Sequence, residues 1–447
     1  MPLILSIVTI SVYAVTGGFD FLATWDDKWY VTSNEAVQGF TREHLRQAFS
    51  AFYVSNYAPL HILSYMIDHL LWGMNPAGYH LENILLHLAN GLLFYRLLRR
   101  LDMTELQAGA AAWIFLLHPA QAETVAWVSQ RKSLLAMFFF LLALLGYLAF
   151  ISRRTGRVIP YLLSLVCICA ALLSKSVTVI FPAIALLYDC TYDRDGSRSM
   201  SRRLLDKLPF MLVAGVVAAM AILSLADGAK EAGSLEYPGG SRLAAFFTMV
   251  PVLLTYVRDC FWPFQLSPYY LVIERQTPDW IFTSSMFGVV LLVALGGFLY
   301  RHARALLFWY GLFFIALVPV LQFVPLVTLK NDRYLYTPLL GFAVLMVSGS
   351  CRLQELLPAE WRRGVQAAFL VILLALPLLA FKQTLYWRDD VTIWSHAVDV
   401  DPENRHAWQQ LARGYTARSD SSNAIRAINR YHELRDKFGP VRGFKSQ

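Results

Sequence analysis

The chain is poor in charged residues. Asp, Glu, Lys and Arg together make up 16% of its 447 residues, whereas 57% are hydrophobic and the mean hydropathy is +0.45. An ordinary soluble enzyme is about half apolar and about a quarter charged. The composition therefore excludes that class and indicates a polytopic membrane protein.

Cysteine is also scarce, and its spacing is uninformative. The five cysteines lie within apolar segments or at their edges, with neither metal-ligand spacing nor an evident disulfide framework. We interpret them as structural. They are Cys167, Cys169, Cys190, Cys260 and Cys351.

The N-terminus lacks the marks of a cleaved signal. Residues 1–17 contain no Lys or Arg, and no convincing small-residue cleavage site follows them. A secretory signal peptide needs a basic n-region and such a site. The segment is therefore predicted to be a retained first membrane helix.

The formal net charge of +8 reports on topology rather than on a nucleic-acid partner. Lys and Arg cluster in short loops between apolar runs, as the positive-inside rule expects. Five loops are therefore predicted to be cytoplasmic. Their basic residues are Arg96, Arg99 and Arg100; Arg153, Arg154 and Arg157; Arg194 to Arg203; Arg301 and Arg304; and Arg352, Arg362 and Arg363.

These loops alternate with turns at residues 118–132, 174–176, 227–241 and 323–336, which are predicted to face outward. The apolar stretch 246–262 lies between an outward loop and a segment that must end inside. It is therefore predicted to be re-entrant or to lie along the outer surface. The prediction is an all-α fold with about eleven transmembrane helices, an inside N-terminus and an outside C-terminus.

Residues 158–188 have basic flanks on both sides and must cross twice. Each arm has about 15 residues and reaches roughly 23 Å, short of a hydrocarbon core of ~30 Å. The tip at Lys175 is therefore predicted to be recessed. A recessed lysine is costly unless it faces a cavity or an anion.

The first outer loop, about residues 20–76, contains the adjacent acids Asp26 and Asp27, flanked by Trp25 and Trp29. Such a pair suits a water-filled mouth at the membrane interface. The alternative is an ordinary polar turn after a membrane helix. Two interfacial helices are predicted later in this loop, one beginning after Thr41 and one after Pro59.

Two further outward turns carry polar groups. One contains His118, Glu123, Arg131 and Lys132, and the other contains Asp332, Arg333 and Tyr336. Each group alone is more often a snorkelling or salt-bridged side chain. Four cations on one face nevertheless favour an anionic head group, most naturally a phosphate on a lipid. The four are Arg131, Lys132, Lys175 and Arg333.

A carboxylate pair beside cations favours transfer of a group from a lipid phosphate to a hydroxyl. One Asp would accept the hydroxyl proton, while Arg and Lys stabilise the departing phosphate. A lipid monophosphate can be bound by such cations alone, and adjacent acids make a cramped metal cage. No metal or cofactor is therefore predicted, although the sequence leaves a divalent metal open.

The tail from Trp387 onward is polar. Its spacing Trp408-x2-Leu411-x3-Tyr415-x8-Ala424-x3-Ile428 matches the tetratricopeptide pattern, with a generic amphipathic hairpin as the alternative. We predict a transmembrane catalytic domain at 1–383 and a short helical repeat tail at 384–447 on the outer side.

Together, the Asp pair, the His118 to Lys132 motif, Ser174-Lys175, the Asp332 to Pro338 motif and the repeat tail resemble the transmembrane and tetratricopeptide-repeat O-mannosyltransferases. That family belongs to the GT-C glycosyltransferases. The resemblance implies an inverting enzyme that uses a polyprenyl-phosphate sugar, with an acid of the first outer loop as base.

The resemblance favours Asp26 over Asp27 as that base, with Glu123 as the runner-up. It implies donor phosphate binding by the four outward cations and support from His118, Asp332 and Tyr336. Mannose or another sugar would pass to a hydroxyl of a protein or glycan that the tail could engage. Animal members carry long repeat arrays, so the short tail points to a bacterial relative in the inner membrane, with its active site facing the periplasm.

Two other classes compete with the glycosyltransferase. A lipid-linked sugar flippase or other transporter should carry paired charges near the bilayer midplane and internal symmetry. The sequence has no evident internal repeat, and most of its charges lie at the outer face. A membrane scaffold that displays a repeat tail would need neither the Asp pair nor the outward cations.

Overall fold

The computed structural model describes residues 1–152, 155–192, 198–232 and 236–439. Arg153, Arg154, Arg194 and residues 440–447, which the topology and tail predictions include, lie outside the described residues. The α-helices are α1 Pro2–Tyr13, α2 Arg42–Ser50, α3 Pro59–Trp72, α4 Pro76–Arg100, α5 Glu105–Leu117, α6 Ala122–Ala126, α7 Arg131–Ser152, α8 Val158–Ser174, α9 Phe181–Tyr192, α10 Met200–Leu205, α11 Leu208–Ala232, α12 Arg242–Phe261, α13 Trp280–His302, α14 Arg304–Leu317, α15 Pro338–Leu356, α16 Ala359–Leu385, α17 Asp390–Val400, α18 Arg405–Ala417 and α19 Ser421–Phe438.

The long apolar helices confirm an all-α, multi-pass membrane protein. Among the described residues, six helices are long and apolar enough to cross a membrane, namely the segments containing α7, α11, α12, α13, α15 and α16. Five shorter apolar helical segments accompany them, at 2–18, 105–117, 158–174, 176–192 and 304–320. The sequence predicts about eleven crossings. They correspond to these segments when the more polar α4 is added and α12 is left out.

The loops predicted to be inside and the turns predicted to be outside lie at opposite ends of the helices. At one end, Arg100 donates to the Ser152 hydroxyl at 3.3 Å, which joins two predicted inner loops. At the other end, the backbone N–H of Ser129 donates to Asp27 at 2.9 Å, which joins two predicted outer segments. The alternation predicted from the basic loops is compatible with this arrangement.

Helix α12 contacts predicted outward turns at both of its ends. Tyr237, just before it, donates to the carbonyl of Phe323 at 3.2 Å. Asp259, near its last turn, pairs with Lys330 at 2.6 Å. By length and composition α12 could cross the membrane. That it is re-entrant or lies along the outer surface stays a prediction.

Several helices begin where a polar side chain satisfies free backbone donors. Thr41 caps α2 in a capping box with His44, as the predicted start after Thr41 requires. Pro59 stands at the first position of α3, where its missing N–H costs no hydrogen bond. Asp389 caps α17 by accepting from the N–H of Thr392 at 2.9 Å.

Close backbone approach fixes two helices that lead toward the outer turns. A side chain at Gly341 in α15 would place its Cβ 2.2 Å from the carbonyl oxygen of Trp309 in α14. Only glycine permits this contact. The 318–336 segment, which connects these two helices and carries Arg333, is thereby held between rigid elements.

In its described part, up to residue 439, the tail forms helices α17 to α19, which pack directly against the end of the membrane domain that carries Trp25 and Trp127. Trp387 stacks on Trp127 at 5.8 Å between ring centroids, and Trp394 stacks on Trp25 at 4.5 Å. The predicted domain boundary at 383 falls within the last turn of α16. The tetratricopeptide assignment and the domain division stay predictions.

Candidate active site

The two adjacent acids of the first outer loop have different surroundings. Asp27 is 1% exposed and accepts hydrogen bonds at both carboxylate oxygens. The N–H of Leu22 donates to Oδ2 at 2.9 Å, and the N–H and hydroxyl of Ser129 donate to Oδ1. Burial raises the pKa of Asp27 to about 7, although these hydrogen bonds favour its ionised form. Asp27 therefore anchors the loop to the 128–130 turn.

Asp26 instead remains accessible. Its side chain is 26% exposed, and its Oδ2 lies 3.9 Å from Nζ of Lys132. Burial raises the pKa of Asp26, and the positive charges of Lys132 and Arg333 offset part of that rise. Asp26 is thus a carboxylate that can still accept a proton from an incoming group.

Lys132 lies between the acidic loop and α3. Its ammonium donates to the Tyr30 hydroxyl at 3.1 Å and stands 4.4 Å from the centre of that ring. The side-chain amide of Asn56 donates to the same hydroxyl at 3.3 Å. Tyr30 therefore holds Lys132 beside Asp26.

Lys175 and Arg333 line one cavity of about 630 Å³. Nζ of Lys175 donates to the Ser133 hydroxyl at 2.8 Å, at the first turn of α7. Asn56 and Ser133 also line this cavity. The recessed tip predicted for residues 174–176 thus faces a cavity, which removes much of the cost of burying the lysine.

The remaining wall of this cavity is mostly apolar. It is formed by α7, by residues 177–183, by α11, by the end of α14 and by the segment that follows α14. Its apolar residues include Ala218, Ala221, Ile222, Leu225, Ile315, Val318, Val320, Phe323, Val324 and Leu326. A cavity with cations at one end and hydrocarbon along the other can hold an amphipathic anion.

Glu123 is 2% exposed and holds Arg333 in place. Its Oε2 accepts from the backbone N–H of Arg333 at 2.8 Å, and its Oε1 is ion-paired with the same guanidinium. That guanidinium also lies 5.3 Å from the centre of the Trp127 ring. Both oxygens of the runner-up base are therefore engaged by one arginine.

Arg131 does not join the other cations. Its side chain is 1% exposed, and NH2 pairs with Asp68 at 2.9 Å. Its remaining donors bond to the side chain of Asn83 and, at 2.7 Å, to the carbonyl of Tyr79. Lys175 and Arg333 thus line one cavity, whereas Arg131 and Lys132 are not among its lining residues. Binding of the donor phosphate by these cations stays a prediction.

The three predicted supporting residues lie around the site without facing a common point. Nε2 of His118 donates to the Cys260 carbonyl at 3.0 Å, which ties the turn to α12. Asp332 is buried and accepts from the Tyr270 hydroxyl at 2.6 Å, and burial raises its pKa. The Tyr336 hydroxyl accepts from the Asn90 amide at 3.0 Å and borders the cavity.

Sequence reasoning missed several residues that shape the site. Tyr30, Asn56 and Ser133 had no predicted role because a single hydroxyl or amide carries no recognisable spacing. Asp68 had a signal, since an acid within the apolar α3 calls for a buried partner. Among the described residues, no group of three or more His, Cys, Asp or Glu could hold a metal ion.

The fold and this site define a multi-pass, all-helical membrane protein with one accessible carboxylate beside a cationic and apolar cavity. No protein-family model matches the chain. Sequence comparison nevertheless confirms the predicted resemblance. The chain is 24% identical over 435 residues to the protein O-mannosyl-transferase Tmtc3 of Drosophila melanogaster, a match that covers 80% of this chain.

Two shorter matches are closer in sequence. The chain is 35% identical over 137 residues to TMTC2 of Mus musculus, across 30% of this chain and 16% of that protein. It is 38% identical over 106 residues to TMTC4 of Homo sapiens, across 21% and 14%. The chain spans about half the length of Tmtc3, of which 46% is covered. A bacterial origin stays a prediction.

Two solved structures show a looser likeness. ArnT from Cupriavidus metallidurans bound to undecaprenyl phosphate gives a TM-score of 0.43 at 15% identity, across 97% of this chain and 75% of that one. The Archaeoglobus fulgidus oligosaccharyltransferase gives 0.48 at 14% identity, across 100% and 60%. At TM-scores below 0.5, neither structure is evidence for a particular reaction of this protein.

Proposed function

We propose that the protein is an inverting glycosyltransferase that moves a sugar from a polyprenyl-phosphate donor to a hydroxyl of a protein or glycan. The observation that carries this proposal is the joint position of Asp26, Lys132, Lys175 and Arg333. The accessible Asp26 lies 3.9 Å from Lys132. The next residue, Ser133, lines a largely apolar cavity together with Lys175 and Arg333. The curated relatives support the transferase class, and their names support mannose as the sugar.

The proposed reaction forms one bond and breaks one bond. The acceptor oxygen attacks the anomeric carbon from the side opposite the phosphate, and the bond between that carbon and the phosphate oxygen breaks. The electron pair stays on the leaving polyprenyl phosphate. Asp26 accepts the proton of the acceptor hydroxyl, so the products are a glycosylated acceptor and a lipid phosphate.

Lys175 and Arg333 would stabilise the negative charge that develops on the leaving phosphate. Their surroundings exclude much of the water, and charges act more strongly in such a site. The apolar wall formed by α11 and the end of α14 would contact the first isoprene units. No metal ion is required for this division of labour.

The site would face the outer side of the membrane, because its turns follow the loops predicted to be outward. In a bacterial cell this side is the periplasm of the inner membrane. The acceptor would approach over the first outer loop, near the helical tail.

Purified protein tests this function directly. Incubation with polyprenyl-phosphate mannose, or a panel of polyprenyl-phosphate sugars, and candidate peptides or glycans should give an acceptor with one added sugar. A flippase would instead move the lipid between leaflets of a proteoliposome without any transfer. A scaffold would do neither, and either result would contradict the proposal.

Removal of the Lys175 charge should weaken use of the donor. Lys175→Ala is expected to raise the donor KM, lower kcat, or both, so that kcat/KM falls about 10-fold, because one cation near the phosphate is lost. Lys382→Ala removes an exposed lysine on α16 and should have no effect. Wild-type donor kinetics in folded Lys175→Ala would exclude Lys175 as a phosphate ligand.

The pH dependence of kcat should report on Asp26. The base acts when deprotonated, so kcat should fall as the pH falls through its pKa, which burial raises above the usual range. Lys132→Met removes a positive charge 3.9 Å from Asp26. Loss of that charge raises the pKa of Asp26 further. The fall in kcat on the acidic side of the pH profile should therefore begin at a pH roughly one unit higher.

The pH experiment has a matched control in the same loop. Lys28→Met also removes one positive charge, but Lys28 is exposed and water screens its charge. Its acidic limb should coincide with that of the wild type. A limb that does not move, or moves downward, in Lys132→Met would contradict the assignment of Asp26 as the titrating base.

A further inference from the structure

One carboxylate of the helical tail, that of Asp390, binds the backbone of the first outer loop. Asp390 is the first residue of α17. Its Oδ2 accepts from the N–H of Ala23 at 3.0 Å, and its Oδ1 accepts from the N–H of Thr24 at 3.1 Å and from the Thr24 hydroxyl. Along the chain, Asp390 is 367 positions from Ala23 and 366 positions from Thr24.

Three successive backbone donors of this loop are therefore satisfied by carboxylates. The N–H of Leu22 donates to Asp27, and the next two, of Ala23 and Thr24, donate to Asp390. Successive N–H groups in a turn form a concave site for an anion. Two of the three donors depend on the tail.

Aromatic packing fixes the residue that follows. Trp25 stacks on Trp394 of α17, with 4.5 Å between the ring centroids, and meets Trp127 edge-on at 5.1 Å. The indole N–H of Trp394 also donates to the Thr24 hydroxyl at 2.8 Å. Asp26 comes directly after this clamped tryptophan.

The neighbouring acid has a different role. Asp389 caps α17 through the N–H of Thr392 and pairs with Arg418 at 2.7 Å. Its contacts thus stay within the tail, whereas those of Asp390 leave it. Of these two adjacent acids, only Asp390 therefore binds the first outer loop.

We propose that Asp390 is a positioning residue that holds the loop at residues 22–26 so that Asp26 stays beside Lys132. This inference rests on the proposed function. It makes the tail part of the catalytic centre, in addition to any contact it makes with the acceptor. A displacement of about 1 Å in a reacting group can cost about 10²-fold in rate, so a loosened loop should lower turnover.

The kinetic test uses the full-length protein. Asp390→Asn keeps the shape but offers one acceptor oxygen, and its NH2 group would face a backbone N–H. We expect kcat to fall about 10- to 100-fold with the donor KM within about 2-fold, because the cavity cations are unchanged. Asp420→Asn makes the same change at the N-cap of α19, where the side chain does not contact the first outer loop, and should leave kcat unchanged.

A double-mutant cycle with Thr24 tests whether the contact acts through the loop. Thr24→Val removes the hydroxyl donor from the opposite side of the same contact and should also lower kcat. The loss in the double variant should be smaller than the product of the two single losses, since both changes remove the hydrogen bond between Asp390 and the Thr24 hydroxyl. Should Asp390→Asn fail to fold, Thr24→Val alone must still lower kcat at unchanged donor KM.

Amide hydrogen exchange gives a readout that does not require activity. The amides of Ala23 and Thr24 should be protected in the wild type and exchange faster in Asp390→Asn, but not in Asp420→Asn. Unchanged exchange would overturn the proposal. So would wild-type kcat in Asp390→Asn when Asp26→Asn is inactive, and that result would leave the transferase function standing. If the wild-type protein transferred no sugar from any donor, both the role of Asp390 and the proposed transferase function would be overturned.

Discussion

Replacing Asp26 with Asn is expected to lower kcat by about 10²- to 10⁴-fold, the usual contribution of a general base. Asparagine keeps the shape of the side chain but cannot accept the proton of the acceptor hydroxyl. The donor KM should change little, because Lys175 and Arg333 remain in place. The measurement is steady-state sugar transfer with the full-length protein at saturating acceptor.

Two further variants separate the roles of the three acids. Asp27→Asn should reduce kcat less than Asp26→Asn, because Asp27 holds the loop through Leu22 and Ser129 and does not touch the acceptor. Glu123→Gln should raise the donor KM, because it weakens the contact that holds Arg333. Near-normal turnover in folded Asp26→Asn, combined with an inactive Glu123→Gln, would move the base to Glu123.

Replacing Arg131 is expected to act on folding instead of on donor binding. Arg131→Met leaves Asp68 buried without its partner, and breaking one side of such a buried pair costs about 3–5 kcal/mol. The Asn83 side chain and the Tyr79 carbonyl lose a donor as well. The expected result is a large loss in Tm, or little folded protein, measured in detergent.

The reciprocal change provides the control for this prediction. Asp68→Asn leaves a buried guanidinium partly unpaired and should also destabilise the fold, although Asp68 lies on α3 and outside the cavity. The double variant Arg131→Met, Asp68→Leu removes both charges and should recover part of the stability. Arg131→Met with wild-type Tm and a raised donor KM would restore Arg131 as a phosphate ligand.

The neighbours Arg131 and Lys132 show how far sequence reasoning could go at the site. Both were predicted to be phosphate ligands, since both are outward cations in one turn. Consecutive residues at the start of a helix point about 100° apart. Arg131 therefore turns toward Asp68, whereas Lys132 faces Asp26 and Ser133 faces Lys175. The spacing in the sequence identified the two cations, but it did not show the direction in which each side chain points.

The adjacent acids show the same limit. Their position beyond the first membrane helix predicted a polar mouth for both, but Asp27 is buried and only Asp26 is partly exposed. Which of the two is accessible depends on Ser129, which is 102 residues from Asp27. No local pattern in the loop encodes that partner.

The sequence by itself determined the class of the molecule. Its composition specified a multi-pass helical membrane protein, its basic loops predicted two sides, and its motifs indicated a known family. These properties follow from local chemistry, because an apolar helix or a basic loop is visible within about 20 residues.

Only the tertiary structure decided which charges remain free and which are paired. Arg131 and Asp27 are held by buried partners, whereas Asp26 stays partly exposed beside Lys132 and Lys175 lines the cavity. The contact between Asp390 and the loop before Asp26 could not be read from the sequence either. A buried charge must find a partner, and that partner is chosen by packing between segments that are distant in the chain.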